Sequence, residues 1–133
     1  MYAKISKAAK TYRHSAAEHA VDTDDGHTLI LKLMTRLLAR IAMAKHCIDQ
    51  KEVASKGEHL GQAIDILNVL RVSLDNRHNP QLAENLDALY DYAARRVLHA
   101  NMHDDTDALT EVDGLLREVK EAWSAVAPEA PAA

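Results

Sequence analysis

The stretch LAENLDALYDYAARRVLHANM, residues 82–102, constrains the fold more than any other part of the chain. Leu82, Leu86, Leu89, Ala93, Val97 and Ala100 recur at steps of three and four, the spacing that lines side chains along one face of a helix. Asn79 and Pro80 stand just upstream, an N-cap followed by a first-turn proline. Tyr90, Asp91, Tyr92 and Asn101 fall beside this seam. A helix with one apolar stripe needs a cover, so the other stretches must supply one.

Three of them have the right period. Residues 26–49 place Ile30, Leu33, Met34, Leu37, Ile41, Ala44 and Ile48 on one face, with Leu31 and Leu38 on a second. Residues 52–75 carry Val53, Leu60, Ala63, Ile64, Leu67, Leu70 and Leu74. Here Ile66, Val69 and Val72 turn away from the seam at ~100° per residue, so they are expected to face outward as a groove. A docked N-terminal helix is the alternative cover for that strip. The last helix follows Asp104 or Asp105 as its cap and runs to about Ala127, with Leu109, Val112, Leu115, Leu116, Val119, Trp123 and Val126 on a broad face. Trp123 is expected to anchor the core near the helix end.

The turns at 76–79 and 101–105 are short, which makes consecutive helices antiparallel neighbours. The expected fold is all-α: an antiparallel up-down four-helix bundle over residues 26–127, with an additional short N-terminal helix. That helix falls within a mobile segment, residues 1–25, which ends in an acidic connector. Only Ile5 and Tyr12 give it sizeable contacts, so it is stable only when docked. Residues 128–133, rich in Ala and Pro, read as a disordered tail.

Composition removes several functions. The chain has 133 residues, which suits one domain, and its apolar content is rich in Ala and Leu with no Phe. Net charge is −4 with basic and acidic residues interspersed, which argues against a nucleic-acid partner. The apolar runs are short, such as residues 29–31 before Lys32, so membrane insertion is not expected. The opening MYAKISKAAK lacks the apolar centre of a signal peptide, and a cytoplasmic protein is expected. Cys47 is the single cysteine, excludes an internal disulfide, and is expected to sit partly buried on a helix.

Motif chemistry is sparse. The stretch DTDDGH superficially resembles a calcium loop, but Gly26 comes one residue early and Leu33 takes the place of the closing Glu. Asp25 reads better as a helix N-cap. A di-metal bundle needs Glu-x-x-His pairs, and no Glu here has a His three residues on. His99 and His103 share a helix face, yet the helix is ending and no third ligand appears. His27-Thr28-Leu29 faintly echoes a histidine phosphotransfer site, but His27 falls in a first turn and bulky Ile30 and Leu31 follow. Four glycines form no phosphate loop, and no serine sits in a triad context. Neither catalysis nor a cofactor is expected.

Residues 85–101, NLDALYDYAARRVLHAN, resemble the signature helix of the FliS family, flagellar export chaperones for flagellin. The likeness continues through residues 109–126, LTEVDGLLREVKEAWSAV, with its closing Glu-Ala-Trp, and upstream through residues 57–75, GEHLGQAIDILNVLRVSLD. Tyr12 stands thirteen residues before Asp25, where the family carries an N-terminal tyrosine. The first helix departs from the pattern: Asp25-Gly26 replace the usual Ser-Pro, and Met34 and Arg36 replace an aromatic and a small residue. The Asp25 change keeps capping physics, whereas Arg36 alters close packing or a client-facing surface.

The resemblance implies a chaperone that binds the disordered C-terminal segment of flagellin and holds it for export, with the flagellar export apparatus as a further partner. Client-binding residues on this reading are Ile66, Val69 and Val72 on the outward strip, Tyr12 as a displaceable plug, and Asn85 and Tyr90. Tyr90 also reads as a flanking core aromatic, and Asn85 as a helix-packing amide. Two other readings stand beside this one: a phosphotransfer bundle at His27, and a structural adaptor forming a homodimer through the exposed apolar strips.

Overall fold

A computed structural model describes residues 25–75 and 77–126. They form four helices with no strand among the described residues: α1 Gly26–Asp49, α2 Val53–Val72, α3 Pro80–His103 and α4 Thr106–Ala125. The expected N-terminal helix, Tyr12 and the tail at 128–133 lie outside the described residues.

Each boundary has a local cause. Asp25 Oδ1 accepts from the Thr28 backbone N–H at 2.7 Å and starts α1. Asn79 does the same for Leu82, with Pro80 in the first turn of α3. Asp105 caps α4 through the Ala108 N–H. At the end of α1 the Lys51 N–H donates to the Ile48 carbonyl and the Glu52 N–H to the Cys47 carbonyl, a Schellman closure. Lys51 pays for it with a left-handed φ of 59°, and Asp104 takes φ 53° where α3 ends.

Cross-helix contacts fix the directions. Arg40 at the far half of α1 reaches His59 near the start of α2. Lys56 near the start of α2 reaches Asn101 and Asp104 at the end of α3, and Arg71 near the end of α2 reaches Asp87 and Asp91 near the start of α3. Arg96 late in α3 reaches Glu111 early in α4. His27 at the start of α1 meets Trp123 at the end of α4. Consecutive helices are therefore antiparallel, and the main packing runs in a ring, α1 on α2, α2 on α3, α3 on α4 and α4 back on α1.

One aliphatic core fills the ring. Its fully enclosed members include Ile30, Leu37 and Ile41 from α1, Leu60, Leu67 and Leu70 from α2, Tyr90 and Val97 from α3, and Leu109 and Val112 from α4. Trp123 is the expected anchor, with its indole N–H donating to the His27 carbonyl at 2.9 Å.

Four details differ from the sequence reading. The buried line of α3 is Ala83, Leu86, Tyr90, Ala93, Val97 and Ala100, while Leu82 is 40% exposed. Tyr90 takes an interior place, and the residues in strict three-four step with its ring are those six. Val53, counted in the seam of α2, is exposed because it is the first residue of the helix. Val126, one residue past α4, is exposed too. Ile66, expected to face outward, is only 7% exposed and belongs to the core. It stands about 60° around the helix from Ala63 and about 40° from Leu70, within an arc widened by two neighbouring helices.

Candidate functional site

Ion pairs stitch the outer edges of the ring. Arg71 grips Asp87 with two nitrogens, at 2.9 and 3.3 Å, and touches Asp91 at 3.3 Å. On the α3–α4 edge, Glu111 accepts from the Tyr92 hydroxyl at 2.7 Å and from Arg96 at 2.9 Å. Those two bonds, the hydroxyl first, hold the Glu111 carboxyl below its usual range, and the same contact raises the Tyr92 phenol. These groups are paired across a seam, which is structural work.

The clasp of His27 and Trp123 bears on the phosphotransfer reading. The half-buried imidazole stacks on the indole with centroids 4.8 Å apart, and its Nε2 lies 2.8 Å from the Trp123 carbonyl. Since a carbonyl only accepts, Nε2 carries the proton and donates. Transfer to Nε2 needs that nitrogen's lone pair free, so this hydrogen bond opposes phosphorylation at Nε2.

His99 and His103 stack with centroids 4.5 Å apart, and His99 Nε2 lies 3.2 Å from Asp105. Among the described residues no three His, Cys, Asp or Glu side chains gather in a way that could hold a metal ion. Cys47 is buried, and desolvation first, then Glu52, pushes its thiol up. It lines a cavity of about 330 Å³ with Ile48, Lys51, Glu52, Val53, Lys56 and Asp104, at the end of the bundle where α1 meets α2.

Among the described residues the exposed large apolar side chains include Met43 and Tyr92 and two sets nearer the ends of the body. At the end where α2 and α4 finish and α3 begins, Val72, Leu82 and Val126 are exposed. Toward the opposite end, Val53, Leu98 and Met102 are exposed. Isolated exposed aliphatics are ordinary, but large ones grouped at two ends are candidate contact surfaces.

The sequence-derived site residues divide accordingly. Val72 is 66% exposed and Val69 half-buried against the core. Ile66 lies beneath them and Tyr90 is fully enclosed. Asn85 is exposed, not a packing amide, and its Oδ1 accepts from Gln81 at 3.0 Å. Arg36 is exposed on α1. Leu82, Leu98 and Met102 were missed as surface, because Leu82 matched the seam and the other two lie just off it.

Comparison with known proteins covers nearly the whole chain. The FliS family, described as flagellar protein FliS, matches residues 8–130. The flagellar secretion chaperone FliSB of Pseudomonas aeruginosa is 40% identical over 126 residues, 95% of this chain and 98% of that relative. The flagellar secretion chaperone FliS of Salmonella typhimurium is 38% identical over 122 residues, 91% and 90% of the two chains. Its counterpart in Escherichia coli is 36% identical over 124 residues, 92% and 90%.

Proposed function

Because the chain belongs to the FliS family, we propose that it is a cytoplasmic chaperone that binds the disordered C-terminal segment of flagellin, blocks its premature polymerisation and holds it for export. The single observation that carries this reading is the end-to-end match to flagellar secretion chaperones. The all-helical body agrees with it, as does the exposed apolar surface. Among the described residues no helix is long and apolar enough to cross a membrane.

The physical logic is helix-in-groove recognition. A tail that orders on binding spends part of its contact energy on ordering, so capture is firm and still reversible. The contact runs over Val72 and Val69 on α2, while Asn85 and Leu82 form a separate strip on the side of α3 where Tyr92 and Arg96 reach α4. Ile66 and Tyr90 act from below, holding the faces of α2 and α3 in place. Tyr12 enters through the family resemblance as part of a segment that covers this surface until the client displaces it. The protein works by binding and release, without bond chemistry, and hands its client to the export apparatus.

Capture assays with purified full-length and tail-deleted flagellin test the proposal. Full-length flagellin should be retained and the tail-deleted form lost. Equal retention of both forms, or retention of neither, would remove the function. Val72→Asp with Leu82→Asp should abolish retention while leaving helical circular dichroism unchanged, since both side chains are already solvent-facing. Ile66→Asp is a poor probe of the surface, because it would place a charge in the core.

A further inference from the structure

Just past the end of α2, Asp75 is a carboxylate only 1% exposed. Among the described residues its hydrogen-bond partner is Arg77. Asp75 Oδ1 accepts from the Arg77 backbone N–H at 3.0 Å, and both carboxylate oxygens accept from the Arg77 Nε at 3.1 Å. A buried carboxylate is costly unless it is paired, so this one holds Arg77 by backbone and side chain at once.

The guanidinium it holds is itself 70% exposed. Its Nε faces inward to Asp75. The two terminal nitrogens form the edge that can give a carboxylate two parallel bonds, and among the described residues they bond to nothing. Other arginines differ. Arg71 spends three nitrogens on Asp87 and Asp91. Arg95, Arg96 and Arg117 lean on carboxylates that stay partly in water and can move with them. Arg77 alone among these is anchored to a carboxylate sealed in the body.

The fork stands in the turn between α2 and α3, five residues past the exposed Val72 that ends α2. The first turn of α3, which begins at Pro80, holds no acidic side chain to repel an anion. A flagellin tail carries one anion that its sequence cannot remove, the carboxylate at its end. On the reading that this chain holds such a tail, we propose that Arg77 is the residue that recognises its terminal carboxylate. The tail lies over Val69 and Val72 and finishes at the α2–α3 turn, where its carboxylate takes two parallel bonds from the Arg77 fork. Asp75 is a positioning residue: it keeps the fork turned outward before the client arrives, so less ordering is spent at capture. Recognition of a chain end also gives selectivity. An apolar helix inside another protein can match the strip but brings no carboxylate to this spot, and leaves the fork unpaired.

The test uses the full chain and a synthetic peptide of the flagellin C-terminal segment, labelled at its N-terminus and made with either a free carboxylate or a terminal amide. Fluorescence anisotropy gives the two dissociation constants. The wild type should bind the amide about tenfold more weakly than the acid. Arg77→Gln should bind both forms alike, as weakly as the wild type binds the amide. Arg77→Lys keeps a cation beside Asp75 without the fork, and should fall between. Asp75→Asn should shrink the ratio of the two constants while leaving affinity for the amide unchanged, which a loss of fold would not do. Equal binding of acid and amide by the wild type overturns the proposal, leaves the chaperone function standing and requires no variant to fold. A ratio that survives Arg77→Gln also overturns it, because the carboxylate is then recognised elsewhere. Binding of neither form would remove the chaperone function itself, and this assignment with it.

Discussion

Lys56 offers the sharpest check on the folded body. Its side chain is only 9% exposed, and its ammonium donates to the Asn101 carbonyl at 2.9 Å and to Asp104 Oδ1 at 2.5 Å. The cation also stands at the negative end of α3. Lys56→Met keeps the length and flexibility of the stem and deletes the charge. Two charge-assisted bonds are lost, but the ammonium no longer has to be desolvated, and Asp104, 61% exposed, returns to water. The net cost should be about 1–2 kcal/mol, or roughly 4–8 °C in thermal midpoint. Asp104→Asn tolerates the same left-handed backbone but leaves a nearly buried cation with one carbonyl, and should cost about 2–3 kcal/mol. The double variant should cost no more than Lys56→Met alone, because Asp104 then has nothing to neutralise. Urea unfolding followed by circular dichroism reads all three. An Asp104→Asn variant as stable as wild type, or a double variant whose loss equals the sum of the singles, would show that stem packing and not charge compensation holds this corner.

Other outcomes follow from the same contacts. Asp25 and Asp105 are held below the usual carboxylate range first by the backbone N–H groups they cap, and Asp75 first by the Arg77 guanidinium. The folded state therefore binds fewer protons at these sites, so their contribution is complete above about pH 4 and drains away as pH falls below it. The urea midpoint should fall as pH is lowered from about 4 toward 2, and a flat profile there would refute the assignment. Cys47, buried and with its thiol pushed up, should react with iodoacetamide only slowly until urea unfolds the chain; rapid labelling of the native protein would contradict its placement. Lys51→Gly relieves a left-handed φ of 59° and should stabilise by about 0.5–1 kcal/mol in the same urea assay; unchanged or lower stability would contradict strain at this turn.

Helix boundaries were readable because caps are local. Asp25, Asn79, Pro80 and Asp105 act within three residues of themselves, so their effect is written in adjacent sequence. Burial was less readable. A period of 3.6 gives the direction of a face but not the width of the arc that two neighbours cover, which is why Ile66 went inside. Nor does it say whether an aromatic joins the seam, which is why Tyr90 rotated the α3 line away from Leu82. The long-range pairings could not be read at all. Lys56 meets Asn101 across 45 residues and His27 meets Trp123 across 96. Their geometry exists only once the ring has closed.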